Sequence, residues 1–307
     1  LLNGETGSFS LTGNDATLTE AGGLNNYNLP VDVGTFTFTG QPATLLHNPK
    51  VEAASGTFAL TGGAAALLRG RYLSGGSGTF IETGQPATFR RTWAIHPVKG
   101  TFTLTGITPA LTEIGAYEID PIVGSFTLTG QSAQLAQSQT LSVDAGTFAL
   151  SGGSVAIARS YSLRGDAGTF VFTGQPATFA RTNAITAATG TFSLTGNAVG
   201  LAKTGALEIS ADVGVFAFTG NTASLSHSRL FAADTAAFTF TGNLAGLRQA
   251  RIASAATGVF TLTGNAATLT ETEDAQLDAA TGAFVLTGAN ASLAKSGTTR
   301  RRNVLIF

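Results

Sequence analysis

Three histidines are the first residues to weigh for metal or proton-transfer chemistry, and their placement argues against both. His47, His96 and His227 lie far apart, with no second histidine and no carboxylate at ligand spacing. There is no Cys, so thiolate metal sites, a Cys nucleophile and a disulfide framework are excluded. None of the G-x-S-x-G, H-E-x-x-H or G-x-x-x-x-G-K-[ST] signatures occurs. The many T-G-N and T-G-Q steps read as turn punctuation, because no helix follows them for a phosphate to rest on. Asp and Glu are scattered, without the repeated pairing that glycoside hydrolysis needs. The sequence thus reads as a non-enzyme, with no cofactor and no metal.

What remains are three sets of residues suited to contact rather than catalysis. A polar residue recurs once per 22 to 24 residues through most of the chain: Glu20, His47, Arg69, Arg91, Glu113, Gln137, Arg159, Arg181, Lys203, His227, Gln249, Glu271 and Lys295. Such a stripe is either a solvated edge that blocks aggregation or a charged strip facing a polyanion such as a surface glycan. Its mixed signs weaken the second reading. Glu82 occupies a position that is apolar elsewhere, and a lone buried carboxylate is costly. It therefore needs a partner, such as Arg90 or Arg91, or an open local structure. Trp93, the single Trp, is close by, which makes this stretch the place to look for a specific contact. The third set is the tail, where Arg300, Arg301 and Arg302 precede Val304, Leu305, Ile306 and Phe307. It suits a strand that caps the last unit, or a plug that docks into a partner.

The elements that position these residues come from an internal repeat. The motif G-T-F-T-L-T-G-Q-x-A-x-L, followed by about ten looser residues, recurs thirteen times. Its Phe stands at positions 9, 36, 58, 80, 102, 126, 148, 170, 192, 216, 238, 260 and 284. The spacing is 22 or 24 residues after a first interval of 27. A larger period of 90 residues lies over it, as GTFIETGQPATFRRT and GTFVFTGQPATFART show. We read this as duplication of a four-unit block, giving a continuous array over 1–297 and a separate tail over 298–307.

Numbering the leading Gly as column 1, column 3 is always Phe and column 7 always Gly. Column 5 is Leu or Phe except at Glu82, and column 12 is always Leu, Ile or Phe. Alternation at columns 3 and 5, and again at 10 and 12, is the period of two that marks half-buried strands. Two glycines within seven residues disfavour helix by about 1 kcal/mol each. The expected class is all-β: a tandem-repeat fold of about thirteen units of 22–24 residues.

Two arrangements satisfy this pattern. Columns 7 and 8 could form a two-residue hairpin turn, giving a stacked-hairpin shaft, interleaved in a trimer. Pro42, Pro86 and Pro176 count against it, since each would stand where an N–H should close the hairpin. Alternatively each unit is one coil of a β-solenoid, with identical residues in ladders about 4.8 Å apart. Constant coil length favours the solenoid, and Asn14, Gln41, Gln85, Gln131, Gln175, Asn197, Asn221, Asn243 and Asn265 would then form an amide ladder.

Composition narrows the setting. Charged residues make up 11% against about 25% in ordinary proteins, while 43% apolar content argues against disorder. A formal net charge of −1 draws the chain to neither nucleic acid nor an anionic membrane. No apolar run approaches the roughly 18 residues of a membrane span. No signal-peptide pattern opens the chain, which starts at Leu1 without a Met.

From Gly7 to about Lys295, the G-T-F-T-L-T-G-Q-x-A-x-L array resembles tandem repeats in structural proteins of tailed phages and prophages. The resemblance implies a virion fibre or appendage supporting host-surface attachment. Its implied partners are further copies of the chain, as a homotrimer, other virion proteins, or a host surface glycan. Two alternatives stand beside it. One is a bacterial surface adhesin. The other is an ice-binding β-solenoid, since the Thr-x-Thr-x-Thr face is similar to that of insect-type antifreeze proteins.

Overall fold

Within each of the two compact units the repeats form coils of short strands, some of which run on through a corner as one longer strand, and successive coils pair in parallel. The fold is a β-solenoid. The computed structural model describes residues 8–13, 16–18, 27–31, 33–46, 49–68, 72–90, 94–112, 118–119, 122–136, 138–158, 160–180, 182–248, 252–255, 257–271, 276–279, 283–295, 300–301 and 304–306. Parallel pairing excludes the stacked-hairpin arrangement, in which neighbouring strands would run antiparallel. The three prolines that spoke against a hairpin follow cis peptide bonds at Gln41, Gln85 and Gln175.

The chain divides into two compact units, Leu1–Ser154 and Val155–Phe307. In the first, the Phe strands align Phe9, Phe36, Phe58, Phe80, Phe102 and Phe126 in strict register. A second ladder joins the Ala-x-Leu strands, from Ala16–Leu18 through Ala65–Leu68 to Ala110–Thr112. A third joins the looser residues, from Tyr27–Val31 to Ser138–Val143. The second unit repeats the plan. Its Phe ladder runs from Phe170 through Phe192, Phe216, Phe238 and Phe260 to Phe284.

The period of two decides what is inside. Columns 3 and 5 are buried in every coil where both are described, while columns 2, 4 and 6 face outward, mostly half-buried. Stacking the coils stacks many of the rings, although Phe192 is tilted 44° from Phe170 and 32° from Phe216. Phe80 and Phe102 lie 4.7 Å apart and 2° from parallel, and Phe126 and Phe148 lie 4.9 Å apart at 3°. In the second unit Phe216 and Phe238 repeat this at 4.7 Å and 7°. These separations match the roughly 4.8 Å between hydrogen-bonded strands. The third strands add Leu141 to the core of the first unit and Leu163, Ile185 and Ile209 to that of the second, all buried.

Column 7 needs glycine for lack of space. A Cβ at Gly106 would strike the Gly84 carbonyl oxygen, and one at Gly242 would strike that of Gly220. No left-handed backbone angle is involved at either position. The glycine N–H groups are meanwhile used by the next coil, with Gly220 donating to the Thr241 carbonyl at 3.0 Å and Gly242 to that of Thr263 at 3.0 Å.

The longer coils keep all three ladders in register by adding residues at a single corner. In the coil of Phe102, pairing is offset by 22 residues at Thr112 and by 24 at Ile119. The same change falls between Ala202 and Glu208 and between Thr270 and Gln276. The five extra residues of the first coil enter between Leu18 and Tyr27. The tail closes the second unit: Val304, Leu305 and Ile306 align with Phe284, Val285 and Leu286. Arg300 and Arg301 align with Gln276 and Leu277.

Candidate functional site

Two features of the coils could carry function, an open groove along the column 7 corner and one buried carboxyl. In the second unit the groove is lined by Asn197, Asn221, Asn243 and Asn265 with the Thr and Gly just before each. Column 8 side chains point outward here because the chain turns after Gly, so equivalent amides meet one coil apart. The Asn221 amide donates to the Asn197 carbonyl oxygen at 2.6 Å. Asn243 donates to Asn221 at 3.4 Å, and Asn265 to Asn243 at 3.3 Å. These four residues form part of the amide ladder that the sequence predicts. The corresponding groove in the first unit is more mixed, with Gln41, Gly63, Gln85, Ile107 and Gln131 in the Asn positions. Both are shallow corners lined mainly by Thr, Gly and amide residues that could take an extended polymer, and neither brings acid–base or metal-binding groups together. Among the described residues no cluster of three His, Asp or Glu is placed to hold a metal.

Glu82 sits in the Phe strand Thr79–Gly84, in register with Leu60 and Leu104 on either side. Its side chain is fully buried. Oε1 accepts a hydrogen bond from the Thr88 backbone N–H at 3.1 Å. Oε2 is, among the described residues, the one buried side-chain polar atom with no hydrogen-bond partner. Burial pushes the carboxyl well above the usual range, and the Thr88 N–H only partly opposes it. Burial thus favours the protonated, neutral form of Glu82 within an apolar ladder. The partner found is a backbone amide across the corner; the side chain of Arg90 and the whole of Arg91 lie outside the described residues.

Arg90 ends the strand Ala87–Arg90, paired with Leu68 and Thr112. Arg69, Arg91, Trp93, Arg159, Arg181, Arg302 and Phe307 lie outside the described residues. Sequence reasoning missed a second corner motif, in which Thr hydroxyls donate to an Asp carbonyl of the preceding coil. Thr189 reaches Asp166 at 3.0 Å, Thr235 reaches Asp212 at 2.9 Å and Thr257 reaches Asp234 at 2.9 Å. A Thr placed 23 residues after each Asp is the signal that could have revealed it. Arg164 pairs with Asp166 at 2.9 Å, but both are substantially exposed, so the pair contributes little.

No helix among the described residues is long and apolar enough to cross a membrane. Comparison with protein-family models, with curated proteins and with solved structures returns no match.

Proposed function

We propose that this chain is a structural component of a tailed-phage virion, a fibre or appendage that supports attachment to the host surface. The observation that carries the reading is the unbroken register of identical core residues within each unit. Such a ladder makes a stiff body, because each buried Phe or Leu contributes about 1.5–3 kcal/mol and every coil braces its neighbours. The repeat motif itself, with its resemblance to phage structural proteins, supplies the setting. The three strands of each coil close a core without a second chain, so self-association into a trimer would use outer faces rather than interleaved strands. Host glycans and other virion proteins are the partners this reading implies. Immunogold labelling of particles released by the bacterium that carries the gene tests it. Label concentrated on fibres or another appendage is the expected result, whereas label on the cell envelope alone would replace it with the surface-adhesin reading.

A second reading, ice binding, is favoured by one observation. Thr35, Thr37 and Thr39 line the outer face of one Phe strand, and Thr101, Thr103 and Thr105 that of another. Neighbouring coils place such side chains about 4.8 Å apart. Ala59, Ile81 and Ala149 interrupt the array. An ice-recrystallisation assay is expected to show no inhibition by the parent protein; inhibition abolished by Thr103→Leu would instead establish this alternative.

A further inference from the structure

The Glu82 coil differs from every other described coil in having a titratable group inside the ladder. The carboxyl bridges a corner: it belongs to Thr79–Gly84, and its one hydrogen bond comes from Thr88 on the following strand. Water is close at hand, because Thr83, Gln85 and Pro86 are exposed on the same corner and Thr83, Gly84 and Gln85 line the groove. Four strands pack on Thr79–Gly84: Thr57–Gly62, Ala65–Leu68, Ala87–Arg90 and Thr101–Gly106. The one ionisable residue in those four is Arg90.

We propose that this corner is an alkali-sensitive weak point built into the first unit: when Glu82 loses its proton, the turn between Thr79–Gly84 and Ala87–Arg90 opens while the flanking coils stay paired. The reason is the mismatch between what the site offers and what each form needs. A neutral carboxyl requires little beyond the Thr88 N–H. A carboxylate with one oxygen bare among Leu60, Leu104 and the Phe stack costs more than a single backbone hydrogen bond returns. Opening the corner is the smallest movement that hydrates it.

The direction follows from proton linkage. Glu82 is held above its ordinary value of 4.5, so the closed form binds more protons than the open one. Closure is strongest below that ordinary value and weakens as pH rises, by up to about tenfold per pH unit, until the raised value is passed.

Hydrogen exchange on the full chain, corrected for intrinsic base catalysis and read on peptides covering 79–90, tests the proposal. Between pH 6 and pH 9 the opening equilibrium of the parent should rise, by up to about tenfold per pH unit, while Glu82→Leu and the near-isosteric Glu82→Gln stay flat. Should Glu82→Leu fold poorly, Glu82→Gln decides alone. A parent profile that does not change with pH overturns the proposal, as does an equal rise in the variants. Faster exchange in both variants than in the parent would also overturn it, because a carboxylate paired with Arg90 would then be the stabilising form.

Discussion

Phe126→Ala is expected to lower the stability of the protein by about 4 kcal/mol, within the 3–5 kcal/mol range of buried Phe truncations. Phe126 is fully buried, stacked 4.9 Å from Phe102 at 8° and 4.9 Å from Phe148 at 3°. Removal deletes two stacked contacts, each worth about 0.5–1.5 kcal/mol beyond area burial. The cavity has little means of collapse, since hydrogen-bonded strands on both sides fix the coil spacing. Phe126→Leu keeps most of the volume and should cost less than about half as much. Urea denaturation followed by circular dichroism measures both, and an alanine midpoint indistinguishable from the parent would show that the ring stack does not hold the coils together.

The second large effect is expected at Gly242→Ala, a change that adds one methyl group. That methyl would collide with the Gly220 carbonyl oxygen and approach the Asn221 carbonyl oxygen at 3.1 Å. Backbone cannot swing aside as a side chain can, so a loss of about 3 kcal/mol, the upper part of the overpacking range, is expected. Gly246→Ala is the control. Its added carbon would meet only the Thr268 hydroxyl, at an ordinary 3.4 Å, and restricting the unfolded chain should make it neutral or stabilising by up to about 1 kcal/mol. Thermal melts of the two variants should therefore move in opposite directions, or at least differ clearly. Equal losses would mean that glycine is needed in these coils for another reason.

These two positions show why so much of the fold was legible. Phe at column 3 and Gly at column 7 repeat because identical coils impose identical constraints, and a sequence displays such constraints as columns. Ala236 marks the contrast, since at column 1 it replaces the usual Gly and is still buried without difficulty. Pairing direction was not legible from alternation, because hairpin and coil place the same columns on the same face. The prolines after Gln41, Gln85 and Gln175 gave the better hint. The third strand was hidden for a different reason. Its anchors, Leu141, Leu163, Ile185 and Ile209, lie among varied neighbours and downstream of the corner where coil length changes, so their period drifts. Glu82 was visible as an exception to column 5. Its partner was not, because a backbone N–H across a corner has no residue type to announce it.

That variable corner also bears on how such a chain changes over generations. Duplication or loss of a whole coil preserves every ladder, so unequal recombination between near-identical repeats can lengthen or shorten the array without inventing a new fold. Smaller insertions survive at the single bend between the second and third strands, where the Phe102, Phe192 and Phe260 coils each carry two additional residues. The architecture thus separates a conserved scaffold from one permissive seam. That seam is where selection can vary surface character while leaving the interior untouched, and where foreign peptides could be displayed at regular intervals.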